Sequence, residues 1–224
     1  MGIKGSGRTE PREIDRFEGG VGWIAYPDEG MQRASHALAT DAGAVLVDPV
    51  DADGVDELYA DLGDVAGVAL LLDRHVRDAA TFAERHEVPV YTPAWMTDVD
   101  DDLDASSEPL GDLLADTDYV IERVVDNGFW QEAALFDETA GTLVVPEAVG
   151  TADFFTAGDE RLGVHPVLRL LPPKRLRSFD AERVLVGHGS GVLEDGAGAL
   201  RDAIGNSRKR APAAYLGALK GMLG

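Results

Sequence analysis

Five consecutive apolar residues, Val68-Ala69-Leu70-Leu71-Leu72, stand between two stretches of helical spacing, and no other feature constrains the fold as much. An apolar run of that length without alternation fits a strand covered on both faces, the kind that parallel crossover units build. Upstream, Val55, Leu58, Tyr59 and Leu62 recur at helical spacing over Asp53 to Leu62. Downstream, a helix over Ala79 to His86 leads into a strand over Val88 to Thr92, ended by Pro93. This β-α-β-α-β succession predicts a layered α/β sheet with parallel pairs. Ahead of it, Val21 to Tyr26, Ser35 to Thr40 and Ala44 to Val47 read as short strands. Asp41-Ala42-Gly43 closes the last two into a hairpin, and the second arm ends in Asp48-Pro49.

The second half repeats the theme in antiparallel form. Tyr119 to Val125, Gln131 to Phe136 and Thr142 to Val145 read as strands, with Asp137 to Gly141 turning between the last two. Leu162 to Leu171 carries an apolar stripe before Pro172-Pro173, Arg183 to Val186 is a short buried strand, and Glu194 to Ile204 and Pro212 to Leu223 are helices. The final helix puts Leu216, Leu219, Met222 and Leu223 on one face, for docking on its own core in a monomer or on a second copy in a homodimer. The expected organisation is a polar N-terminal arm over 1–20, one domain over 21–210 and a C-terminal helix over 211–224.

Composition removes several functions. With no cysteine in 224 residues there is no disulfide framework, thiolate zinc site, iron–sulfur cluster or cysteine nucleophile. Acidic residues outnumber basic ones 41 to 20, a formal charge of −21 that repels phosphate backbones and anionic lipid, so neither nucleic acid nor a membrane is an expected partner. The stretch Arg169 to Arg177 and the trio Arg208-Lys209-Arg210 are the local exceptions, and both are short. Only four of the basic residues are lysines, and the acids are spread along the chain, as in a halophilic protein whose self-repulsion is screened by salt. The densest acidic run, Thr97 to Asp104, reads as a solvated loop. Met1 to Glu18 has no apolar core of a targeting signal, and the expected location is cytoplasmic.

The hairpin Ser35 to Pro49 resembles the opening hairpin of the metallo-β-lactamase superfamily, in which two strands about a glycine turn end in an aspartate. The likeness continues through Leu70-Leu71-Leu72, the loop Asp73 to Asp78 and the helix after it, which sit where that family has a strand, its H-x-H-x-D-H loop and a helix. Thr142 to Glu147 is similar to the strand that ends in a metal-bridging aspartate, and Val186-Gly187-His188-Gly189 to the strand end whose histidine closes the site. The resemblance spans residues 21 to about 205. It implies a mixed α/β (α+β) fold, a four-layer αββα sandwich with its site at the sheet edges, and a hydrolase ancestry.

At the metal ligands the likeness breaks down. Laid without gaps, the family's three loop histidines fall on Arg74, Val76 and Ala79, the middle histidine falls near Asn127-Gly128, and the bridging aspartate becomes Glu147. Asp78 and His188 keep their types. Zinc prefers nitrogen ligands, so an ordinary two-zinc hydrolase is not expected from such a degenerate motif. Three readings remain. In the leading one, no cofactor is bound, Arg74 and Arg77 put guanidinium charge where metal charge would stand, and a small anion binds there with His188 as proton donor or acceptor. In the second, Asp78, Glu147 and His188 hold a single divalent ion, Mn²⁺, Fe²⁺, Zn²⁺ or Mg²⁺, for ester or thioester hydrolysis, with His75 able to join only by a one-residue slip. In the third, the site is retired and the protein is a non-catalytic structural or interaction protein.

Catalysis, if any, is expected of His188 and Asp78, and ligand contact of Arg74, His75, Arg77, Trp95 and Trp130. Asp48 is expected behind them, bonding the loop from Asp73 to Asp78. His165, ahead of Pro166, reads as a surface or capping histidine. Gly187-His188-Gly189-Ser190-Gly191 is no nucleophile elbow, since a histidine holds the place a serine would need.

Overall fold

The computed structural model describes residues 5, 7, 9–97, 99, 103 and 105–223, with side chains to 216. Most of the acidic run Thr97 to Asp104, and the side chains of Leu219, Met222 and Leu223, lie outside the described residues. Strands β1 (Arg12–Phe17), β2 (Gly20–Ile24), β3 (Ala34–Thr40) and β4 (Gly43–Val47) form an antiparallel run. A short helix α1 (Asp56–Tyr59) then leads to β5 (Val65–Ala69), helix α2 (Ala79–His86), β6 (Val90–Thr92) and β7 (Ser107–Pro109), which extend the sheet in parallel. All seven strands lie in sequence order. After α3 (Leu110–Leu113), a second sheet collects β8 (Tyr119–Asn127), β9 (Trp130–Asp137) and β10 (Thr142–Val145). A small pair, β11 (Val149–Gly150) and β12 (Gly163–Val164), separates these from β13 (Arg183–Val186), which joins β10 in parallel. Helix α4 (Gly196–Leu223) closes the chain.

Side-chain alternation turns these sheets into four layers. In β4 and the chain about β5, Leu46, Val68 and Leu70 join Phe82 of α2 in one cluster, while Val45, Val47, Ala69 and Leu71 face the other way. There they meet Ala133, Leu135, Val144 and Leu185 of the second sheet. The opposite faces of those strands, Phe136, Leu143, Val145, Val184 and Val186, pack on Leu200, Ala203 and Ile204 of α4. The order is helix, sheet, sheet, helix, as expected from the period-2 reading of each strand. No described helix is long and apolar enough to cross a membrane.

Several boundaries differ from the sequence reading. The polar arm is β1: Ile14 and Asp15 are buried in it, and its charged residues are those of an exposed sheet edge. Asp15, at φ 53° beside a register shift, turns its carboxylate to the Gly191 amide and ties this first strand to the turn after β13. The two expected C-terminal helices are one, running through Pro212. Its polar middle is held helical by Asn206 and Arg210, which both donate to Asp202, and by Ser207, which donates to the Arg169 carbonyl. The domain boundary expected at 210 therefore falls inside a helix. Leu162 to Leu171 is β12 followed by a 3₁₀ turn, with Leu170 and Leu171 exposed.

The run Val68 to Leu72 is strand only at its start, and this departure builds the site. After Ala69 the chain leaves the first sheet. Leu72 bridges Glu132 of β9, the Ala133 amide donates to the Leu71 carbonyl, and the Asp73 amide donates to the Gln131 carbonyl. The following loop is thereby stretched across the seam between the two sheets.

Candidate metal centre

Four chain segments converge at one edge of the sandwich, each just past the C-terminal end of a strand. Asp48 follows β4, the loop 71–78 follows β5, Glu147 follows β10 and His188 follows β13. The carboxyl ends of parallel strands are where open α/β sheets collect their ligands. Gly187 lets two of these ends close up, because a Cβ there would stand 2.2 Å from the Pro146 carbonyl oxygen.

One ligand atom from each of His75, Glu147 and His188 lies within 4.8 Å of the other two, and all three residues are buried. Their orientation follows from their other contacts. His188 Nδ1 donates to the Met31 carbonyl at 2.9 Å, so its Nε2 carries the lone pair. Burial, aided by His75 and Arg77, holds this imidazole well below the usual histidine range, and it stays neutral. His75 Nδ1 stands 3.1 Å from Asp48 Oδ2, which directs its Nε2 toward Glu147 Oε2, 3.8 Å away. Burial raises the Asp48 pKa to about 6, with Arg77 and the Leu71 amide pulling the other way. Burial likewise raises that of Glu147. Glu147 Oε2 and His188 Nε2 are buried and have no hydrogen-bond partner among the described residues.

The residues singled out from sequence divide in two. Arg74, His75, Arg77, Trp130, Glu147 and His188 come together, with Asp48 behind His75, where its carboxylate meets the His75 ring and the Leu71 amide and not the backbone of the loop from Asp73 to Asp78. The Asp78 carboxylate turns away and accepts from the Asp51 amide at 2.8 Å, so His75 holds the place in the cluster given to Asp78. The reason is the seam-crossing loop, which points the His75 side chain inward and leaves Asp78 at the start of α2. Trp95 packs beside the core with the Arg123 guanidinium over its ring. Arg77, at φ 47°, is inside the site, yet its Nη1 donates to the Ala34 and Asp48 carbonyls and its Nη2 to Gly187. Arg74 is at the rim, 40% exposed, stacked 4.3 Å over Trp130 with its Nε 3.9 Å from Glu147 Oε2.

Two site residues escaped the sequence reading. His165 is buried, not on the surface. Its Nδ1 accepts from the Val167 amide, the capping role expected, while its Nε2 lies 3.7 Å from Glu147 Oε1. Burial lowers its pKa to about 4. Glu132 is fully buried: Oε1 accepts from the Glu147 and Ala148 amides and Oε2 from the Trp130 indole. Burial pushes it up to about 8 against those three donors. Its signal was present, since Glu132 shares a strand face with the core residues Ala134 and Phe136.

No protein-family profile matches the sequence, and no curated protein does. Solved structures do. The chain is similar to the metallo-β-lactamase DIM-1, at 14% identity over 92% of this chain and 98% of that one, with a TM-score of 0.59. It is also similar to FIM-1 from Pseudomonas aeruginosa in its mono-zinc form, at 12% identity over 93% and 98% and a TM-score of 0.61. A third likeness is to TTHA1623 in a di-iron-bound form, at 20% identity over 77% and 94% and a TM-score of 0.54. The chain has the metallo-β-lactamase fold. Of the positions where that resemblance expects loop histidines, Ala79 is in the core with Leu70 and Phe82, the partly buried Val76 packs against that cluster, and Arg74 is the rim cation. Among the described residues a single group of three potential ligands converges, and the Arg77 guanidinium lies 3.4 Å from His75 Nε2.

Proposed function

We propose that the protein is a hydrolase of esters or thioesters that works with one divalent ion held by His75, Glu147 and His188, and that its substrate carries an anionic group. The observation that supports this reading is the pair of buried acceptors, Glu147 Oε2 and His188 Nε2, each without a donor. A buried acceptor left unpaired costs about 1–3 kcal/mol, and two of them converging with an imidazole ask for a cation. An anion in their midst would face those two lone pairs, and among the described residues the one unpaired donor beside them is the buried Arg77 Nε. Two imidazoles and a carboxylate suit Mn²⁺, Fe²⁺ or Zn²⁺ better than Mg²⁺. The mono-zinc form of FIM-1 is a precedent for one ion on this fold.

When bound, such an ion supplies Lewis acidity for a carbonyl oxygen and lowers the pKa of a water. The chain's own residues do the rest. Asp48 holds the His75 ring in place, and Met31 holds that of His188. Arg77 is a fixed internal charge, its Nη atoms committed to three carbonyls and its Nη2 also 3.4 Å from His75 Nε2. The metal-free reading would have only the buried Arg77 Nε left for the anion, so the anion contact is assigned to Arg74, which is exposed at the rim over Trp130 with its Nε donating to Asp73 and its Nη2 to the Phe129 carbonyl.

Calorimetric titration of chelator-treated protein with Mn²⁺ and Zn²⁺ tests this. One ion per chain is expected, lost in His188→Ala and retained in Asp78→Asn. Equal binding by wild type and His188→Ala, or no binding at all, would overturn the assignment.

A further inference from the structure

Glu147 has a nitrogen donor on each side of its carboxylate. Arg74 Nε stands 3.9 Å from Oε2 and His165 Nε2 stands 3.7 Å from Oε1, both too far for a direct hydrogen bond, and the Arg74 Nε hydrogen goes to Asp73 Oδ1 at 3.1 Å. The two differ in kind. Arg74 is permanently charged and exposed, whereas His165 is buried among Trp130, Phe154 and Phe155, with ring centroids at 4.9, 5.4 and 5.3 Å. The Val167 amide donates to His165 Nδ1, which requires a lone pair there and places the ring's single hydrogen on Nε2. This tautomer cannot serve as a metal ligand through Nε2, and His165 stands outside the converging group of three. The ring is thus a neutral N–H donor, fixed in orientation by a backbone cap and aromatic walls, with its Nε2 3.7 Å from Oε1 of the ion-binding carboxylate.

We propose that His165 is a catalytic residue whose neutral Nε2–H donates a hydrogen bond to the substrate's acyl oxygen as negative charge builds on it. The inference rests on the single-ion hydrolase reading and adds a role to a residue that reading leaves idle. In the reaction a water oxygen bonds to the carbonyl carbon and the carbonyl oxygen takes up charge. The carbon's bond to the leaving oxygen or sulfur then breaks, one water proton ends on the alcohol or thiol, and the other is released as the acid ionises. His165 gives up no proton in any step. A donor fixed before the reaction interacts more strongly with the charged oxygen than with the neutral carbonyl, so it lowers the barrier more than it tightens binding. The division of labour follows from the charges: Arg74 takes the substrate's permanent anion, and the uncharged donor takes the oxygen whose charge is transient.

The test uses the full chain loaded with Mn²⁺ and p-nitrophenyl acetate as probe. His165→Ala should lower kcat about 100-fold with KM within about threefold, and His165→Gln, whose amide N–H reaches a similar point, should recover about tenfold of the loss. Calorimetric Mn²⁺ binding should be the same in all three proteins. Long-range ¹H–¹⁵N spectra of the wild-type imidazoles should show His165 protonated on Nε2 alone at neutral pH, a readout that does not depend on the variants folding. An unchanged kcat in His165→Ala with ion uptake intact, or a proton on Nδ1, overturns this inference and leaves the hydrolase reading standing. Failure of the wild type to take up an ion overturns both.

Discussion

His75 Nδ1 lies 3.1 Å from Asp48 Oδ2, and the same carboxylate receives the Leu71 amide on Oδ1 at 3.0 Å. Asp48 therefore fixes both the backbone that leaves the first sheet and the ring that this backbone carries. It does so from a left-handed conformation, φ 45°, where a side chain that bonds locally is favoured.

Replacing Asp48 by Asn separates the two jobs. The amide oxygen still accepts from Leu71, but the NH₂ group now faces His75 Nδ1, which must become the acceptor and move its hydrogen to Nε2. The lone pair that would bind the ion is then lost without loss of a side-chain atom. Mn²⁺ affinity should fall about 10- to 100-fold by calorimetry, while the ion-free protein keeps its circular dichroism spectrum. Unchanged affinity would mean that His75 is not a ligand.

Much of the sandwich was legible in the sequence because each layer obeys a local rule. The hairpin about Gly43, the helix Ala79–His86 and the strands Thr142–Val145 and Arg183–Val186 stand where spacing and turn residues place them. The site was legible only in outline. Glu147 and His188 follow strand ends that the pattern locates, but the Asp73–Asp78 loop has no periodicity to fix which side chains point inward. Its direction comes from backbone bonds to β9, some 60 residues onward in the chain. That long-range pairing exchanges Asp78 for His75. His165 was hidden for a similar reason, since only packing against Trp130 and Phe155 brings it beside Glu147.

Glu29 gives the site an acid-sensitive support. It is buried, and it accepts from the Gly5 and Arg33 amides and from the Arg33 guanidinium. Arg33 in turn pairs with His188 in an isolated bridge. Burial raises the Glu29 pKa, but the Arg33 side chain and the two amides outweigh it, and the net shift is below 4.5. A depressed folded-state pKa contributes stability that is present above the unfolded value and lost as pH falls through the folded one. Glu29→Gln should thus cost about 1–3 kcal/mol in urea unfolding at pH 7, and the gap from wild type should shrink at pH 3. A gap that is constant with pH would assign the loss to packing alone.

The acid excess makes a prediction about salt. With 41 acidic and 20 basic residues on one compact domain, unpaired carboxylates repel one another over the whole surface. Many of the arginines are already matched, as Arg16 with Glu13 and Asp61, Arg85 with Asp51 and Asp56, and Arg175 with Glu122, and the acids outnumber all basic residues by 41 to 20. Screening acts on the unmatched charge first. The Debye length shrinks from about 10 Å at 0.1 M to about 3 Å at 1 M, and most of the repulsion should vanish over that interval. Melting followed by circular dichroism in KCl should show Tm rising steeply up to about 1 M and more gently beyond, where only exclusion of salt from apolar surface continues to act. A Tm that stays level between 0.1 and 1 M KCl would mean that the charge is balanced in place and that the composition is no adaptation to salt.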